Sequence, residues 1–160
     1  QVLILRLTMS QDAVEKVREF LDRMKLKYTF DEATKTFSLY FNIRISENKY
    51  ARAVIYVKIG REWVLIVSPL INQKNIPVTV DRLKLYERLL LDTYYLNEVT
   101  YGLTREGDIV VHAEIHHSAL TYENFKTEFN SVVYGIGHFA GKILEDFEKY
   151  KQAANISYIM

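Results

Sequence analysis

The chain has 160 residues, 49% of them hydrophobic, with 21 basic and 20 acidic side chains for a formal charge of +1. This is the size of one α+β domain, 1–160, with enough apolar content for a sizeable core, which excludes disorder over most of its length. No cysteine is present, which removes disulfides, thiolate metal sites and cysteine nucleophiles from consideration.

The longest apolar runs fall far short of the ~20 residues of a membrane span. Residues 1–7 are apolar but lack the basic start and cleavage site of a signal peptide, and they read as a first strand. A cytoplasmic protein without a membrane partner is expected. The balanced charge shows no Lys/Arg block, so no nucleic-acid partner is expected either. Twelve tyrosines and no cysteine make a composition suited to a hot, thermophilic habitat.

A first helix is expected to start at Ser10, with Met9 and Val14 at the spacing of a hydrophobic staple. Val14, Val17, Phe20, Leu21 and Met24 then form one apolar stripe. Tyr28 and Phe30 suggest a short strand, and Phe37, Leu39, Phe41, Ile43 and Ile45 alternate with polar residues, the pattern of a half-buried strand. Residues 51–59 and 62–68 read as a hairpin about Gly60, ended by Pro69. Residues 63–67 are apolar on both faces, which predicts a central strand covered on both sides.

A second helix is predicted from Asp81, with Leu83, Tyr86, Leu89, Leu90 and Tyr94 toward the core. Residues 99–104 and 108–116 make another hairpin turning at 105–107. Thr121 caps a third helix, whose stripe is Phe125, Phe129, Val132, Val133, Ile136, Phe139, Ile143 and Phe147. Short connections require antiparallel pairing. The class is α+β: an antiparallel sheet with helices packed mainly on one face, in the order α-β(3-4)-α-β-β-α.

Residues 89–97 (LLLDTYYLN), 99–103 (VTYGL), 107–111 (GDIVV) and 113–115 (AEI) resemble the YbjN-like family. That family is assigned to the type III secretion chaperone-like fold, and the element order of the whole chain is similar to it. The resemblance implies a dimeric, non-catalytic binder of other polypeptides or a regulator, and it supplies no catalytic residues. The chain departs from the family pattern in its apolar start, its glycine-rich third helix and its 156–160 tail.

His112, Glu114 and His116 lie at alternate positions of a strand, so they share a face. Two histidines and a carboxylate are ligands that zinc accepts with an open position for water, which would make a metal-dependent hydrolase. The competing reading is a solvated strand face over the core set Ile109, Val111, Ala113 and Ile115. Gly135, Gly137, Ala140 and Gly141 form a small-residue patch that suits close approach of helices across a dimer, a helix break near Gly135, or packing within the chain. His138 reads as packed or surface-lying rather than catalytic.

On the sheet's second face, Tyr40, Val54, Tyr56, Val64 and Ile66 mix with Arg44, Arg52 and Lys58, an apolar and tyrosine-rich surface suited to a protein partner or second subunit. A weak nucleic-acid binder using Arg44, Lys49, Arg52 and Lys58 with Tyr40 and Tyr56 is the other rival. The function expected is a non-enzymatic, homodimeric polypeptide-binding module without a cofactor, using Tyr40, Val54, Tyr56, Gly137 and Gly141.

Overall fold

A computed structural model describes residues 2–76, 78–147 and 157–159. Helix α1 spans Val2–Arg23. Strands β1 (Thr29–Asp31), β2 (Thr36–Ser46), β3 (Lys49–Ile59) and β4 (Trp63–Ile71) follow, then helix α2 (Arg82–Tyr95). Strands β5 (Thr100–Leu103) and β6 (Ile109–His116) lead to helix α3 (Tyr122–His138), and Ser157–Ile159 forms β7. The sheet order is β1-β2-β3-β4-β6-β5, neighbouring strands pair antiparallel, and β7 adds to β3 beside residues 50–52.

Alternation in the strands decides the two faces. Phe37 and Leu39 of β2, Ile55 and Val57 of β3, Val64 and Ile66 of β4, and Ile109 and Val111 of β6 are fully buried. They meet the stripe of α3, where Phe125, Phe129, Val132, Ile136, Phe139 and Ile143 are buried as the helical period predicts. From α1, Val14, Val17, Phe20 and Leu21 join the same core, with Phe20 5.7 Å from both the Tyr122 and Phe125 rings. Each such side chain contributes about 1.5–3 kcal/mol on burial.

Helix α3 begins where Thr121 accepts from the Asn124 amide and runs unbroken through Gly135 and Gly137. It then loosens into a π-helical turn, Phe139–Ile143, and ends in the turn Leu144–Asp146. The break considered near Gly135 is therefore absent. Phe139, Ala140, Ile143 and Leu144 of this turn and its end are all buried.

Four expectations are corrected. Residues 2–7 are helical, not a strand, because a short apolar run rich in leucine carries no period that separates the two. Ser10 consequently sits inside α1, where its hydroxyl accepts from Lys35 Nζ at 3.1 Å instead of capping, so the Met9–Val14 staple has no helix start to serve. Strand β4 passes through Pro69 to Ile71, its register slipping between those two residues, since a bulge tolerates a residue with no N–H. It is central as predicted, but only one face is covered: Val64 and Ile66 belong to the main core, whereas Leu65 and Val67 occupy the open face, partly exposed.

The small residues of α3 are used within the chain. A Cβ on Gly135 would come within 2.6 Å of Val111 Cγ2 and 3.1 Å of Val99 Cγ1, and one on Gly141 within 2.7 Å of Ile45 Cγ2. On Gly137 the nearest contact would be an ordinary 3.4 Å to Ile43. Gly135→Ala should therefore lose about 1–3 kcal/mol through overpacking against the short, buried Val111 side chain, while Gly137→Ala should gain up to ~1 kcal/mol of helix propensity. Urea midpoints of the two variants check this opposite pair of signs.

Candidate functional site

Three surfaces remain once the core is filled. The first lies at the sheet edge. Strand β1 pairs only with residues 36–38 of β2, so beyond Ser38 the outer edge of β2 has no partner among the described residues. Beside it opens a groove of about 800 Å³ between the distal half of β2 and the flank of α3. Ile43, Ile45 and Val133 give its apolar lining, Gly137 and Gly141 leave it room, and Arg44, Lys49 and Lys142 stand around it. Glu145 is the acid of the groove and pairs with Lys49 at 3.3 Å.

The inner wall of the groove is braced by charge. His138 Nε2 donates to Asp92 Oδ2 at 2.8 Å, and the same oxygen accepts from Arg88 Nε at 2.9 Å. Arg88 also donates to Asp146, and these carboxylates hold the guanidinium above its already high pKa. The cluster ties α2 to both ends of the π-helical turn. Tyr101 adds a neutral tie: its buried hydroxyl donates to the Gly135 carbonyl at 2.7 Å, and burial first, then the nearby Asp92 charge, pushes its pKa upward. The chain pattern gave no notice of Arg88, Asp92 and Asp146 as a group, since they meet only after α2 and α3 pack.

The second surface is the outer side of α2. Only Leu85 and Leu89 of this helix are buried. Leu83, Leu90, Tyr94 and Tyr95 are between 71% and 81% exposed, and Leu91 is half exposed. This corrects the expected core stripe of Leu83, Tyr86, Leu89, Leu90 and Tyr94: the helix is apolar on two sides, and the period cannot choose between them. Next to it, Tyr86, Leu90, Tyr101, Leu103 and Ile109 line an almost wholly apolar hollow of about 280 Å³.

The third surface is the open face of the sheet. Tyr40, Val54 and Tyr56 lie here as expected, with Arg44, Arg52 and Lys58, whereas Val64 and Ile66, expected beside them, point into the core. His112, Glu114 and His116 also share this face, but the rings diverge. His112 Nδ1 donates to Glu114 Oε1 at 2.7 Å, and its ring lies over Gly102, where a Cβ would meet Nε2 at 2.8 Å. His116 Nδ1 accepts from the Ser118 amide at 3.2 Å, with its ring edge-on to Trp63. Four strand positions put these histidines ~13 Å apart along the chain. No group of three His, Cys, Asp or Glu side chains that could hold one metal exists among the described residues. The structure thus joins His112 to Glu114 and leaves His116 out.

No family profile matches the sequence, and no curated protein matches it. Among solved structures the chain is similar to YbjN, a putative transcription regulator from E. coli, at 13% identity and a TM-score of 0.57, covering 84% of this chain and 92% of that one. It is similar to a chain of the ExsC–ExsE complex at 18% identity and a TM-score of 0.54, covering 84% and 95%. An uncharacterized protein from Methanothermobacter thermautotrophicus aligns at 16% identity and a TM-score of 0.51, covering 86% and 99%. The chain has a YbjN-like α+β fold. No described helix is long and apolar enough to cross a membrane.

His117, next to the divergent pair, is buried, and burial chiefly, with the neighbouring His116 charge, lowers its pKa. The unfolded imidazole takes up a proton near pH ~6.5, the folded one only at lower pH. The unfolded state therefore binds more protons in that window, and stability falls as pH drops below ~6.5. Urea midpoints at about pH 7.5 and 5.5 should show the fall, and His117→Phe should flatten it; an unchanged slope in the variant would assign the effect elsewhere.

Proposed function

We propose that this chain is a non-enzymatic, chaperone-like module that binds an extended segment of another polypeptide, and that it acts as a homodimer. The observation that carries the reading is the unpaired edge of β2 beyond Ser38 beside the groove lined by Ile43, Ile45 and Val133. Backbone amides and carbonyls on such an edge are a template for one more strand, and adjacent pockets sort its side chains. Gly137 and Gly141 keep this groove open, which gives those two residues a part in binding. That a protein of this fold occurs in the ExsC–ExsE complex supports a polypeptide partner.

The test is a screen of short extended peptides for binding, followed by hydrogen exchange. A bound peptide should protect the amides of residues 39–46, and Val133→Lys should weaken it at least tenfold, which is the effect of ~1.4 kcal/mol. Protection confined to another region would refute the edge.

Dimerisation draws on a separate observation, the apolar outer side of α2. Leu83, Leu90, Leu91, Tyr94 and Tyr95 meeting their own copies across a two-fold axis gain on the order of 1.5–3 kcal/mol per side chain buried. That total stands against the roughly 4–15 kcal/mol that association costs. The exposed Val2, Leu3, Ile4 and Leu5 at the start of α1 add apolar surface that a second copy would shelter. Light scattering at micromolar concentration should give the mass of a dimer. Leu90→Glu with Tyr94→Glu should give a monomer with unchanged circular dichroism, because neither side chain enters the core.

A further inference from the structure

The open face of the β2–β3 hairpin gathers the cations and tyrosines that alternation in the chain had placed on one side. Each residue on this face alternates with a core residue, so no basic run appears in the sequence. On β2 the outward residues are Thr36, Ser38, Tyr40, Asn42 and Arg44; on β3 they are Tyr50, Arg52, Val54, Tyr56 and Lys58. Three are cations, three are tyrosines, and none is a carboxylate. The register sets Tyr40 against Val54, Ser38 against Tyr56, Asn42 against Arg52, and Arg44 against Tyr50. Tyr40 and Tyr56 are thus diagonal neighbours, ~7–8 Å apart at their backbones. Tyr40 is 73% exposed, and the Lys58 ammonium stands 5.7 Å from the Tyr56 ring centre.

We propose that this half of the open sheet face binds single-stranded RNA, with Tyr40 and Tyr56 stacking on bases while Arg44, Arg52 and Lys58 pair with the phosphates. A sheet face, unlike an edge, offers no free backbone groups, so a ligand there is held through side chains alone. Ring faces interleaved with cations match unpaired bases joined by phosphates, and stacking of this kind is tolerant of sequence. A duplex hides its base faces and gains nothing from the tyrosines. Thr36, Ser38 and Asn42 supply hydrogen-bonding partners within reach of a 2′-hydroxyl, the group that marks RNA. The site meets the groove only at Arg44; the apolar lining of the groove, Ile43, Ile45 and Val133, lies on the helix side of the sheet.

Fluorescence anisotropy with a labelled uridine oligomer of about 12 nucleotides tests the assignment. At low salt the expected Kd lies in the range of roughly 1–100 µM, falling off with a log–log salt slope of about −2 for three neutralised phosphates. Tyr40→Ala and Tyr56→Ala should each weaken binding about tenfold, and Arg52→Glu should weaken it further and flatten the slope. Tyr40 and Arg52 are exposed and Tyr56 is half-buried outside the core, so all three variants should still melt cooperatively. Val133→Lys, in the groove, should leave RNA binding intact, which separates this proposal from the polypeptide reading. Absence of binding at low salt would overturn the proposal, as would tyrosine variants that bind normally. So would equal affinity for the matching DNA oligomer, or polyglutamate binding that is lost in the same variants, the latter marking an acidic polypeptide as the occupant.

Discussion

The close approach of α3 to the sheet is the constraint on which the other features depend. Gly135 lets the helix backbone settle onto Val111 and Val99, and the Tyr101 hydroxyl fixes the same point by bonding the Gly135 carbonyl. With the helix this low, its phenylalanines reach the floor of the core from both ends, and α1 closes the remaining gap through Phe20. Three helices on one side leave nothing to cover the other. The open sheet face is therefore a consequence of how the core is built, and its polar and aromatic residues are those that this exposure permits.

The same packing creates the groove. Helix α3 crosses over β6 and β4 and only partly covers β2, so Ile43 and Ile45, which point to the core side, are left half-buried along the helix flank. The π-helical turn lies at this point. It brings His138 toward Asp92 while keeping Phe139 and Ala140 in the core. A surface near both the outer strand and the α2 interface is thus held by one shared carboxylate, Asp92, with Arg88 and His138 converging on it.

Much of this was legible in the chain. The α3 stripe and the strict alternation of β2 and β3 fixed which side chains are buried, because each helix or strand has one face to hide and a clear period. Turns at Asp31, Gly60 and Gly107 follow from local chemistry: Asp31 accepts from the Ala33 amide at 2.9 Å, and Gly107 sits at φ +87°. Elements lacking a single period were not legible. Residues 2–7 are apolar except for Arg6, and α2 is apolar on two sides, so the choice between strand and helix, or between inner and outer face, depends on neighbours that the local sequence does not contain. The Arg88–Asp92–His138–Asp146 cluster was invisible for a related reason: its members come from α2, the end of α3 and the turn after it, and converge only in three dimensions. The histidine strand failed in the opposite way. Alternation correctly put His112, Glu114 and His116 on one face, yet Gly102 draws one ring across β5 and Ser118 draws another off the strand end.

These surfaces differ in the forces they offer, and that difference orders their roles. The outer side of α2 has large apolar side chains and few charges, so it favours a partner that is always present, such as another copy, because its exposure costs free energy continuously. The β2 edge offers unpaired backbone groups beside modest apolar lining, which suits a partner that arrives as an extended chain and leaves again. The open β2–β3 face holds its charges in solvent at little cost and gains only when phosphates displace counterions from it. On the proposed reading, a dimer joined through α2 would leave both the β2 edge and the open β2–β3 face free to exchange ligands. The strands that separate them, β2 and β3, contribute residues to both surfaces at alternate positions, so occupancy of the edge would stiffen the backbone beneath Tyr40 and Arg44 without altering the core on which both sites rest.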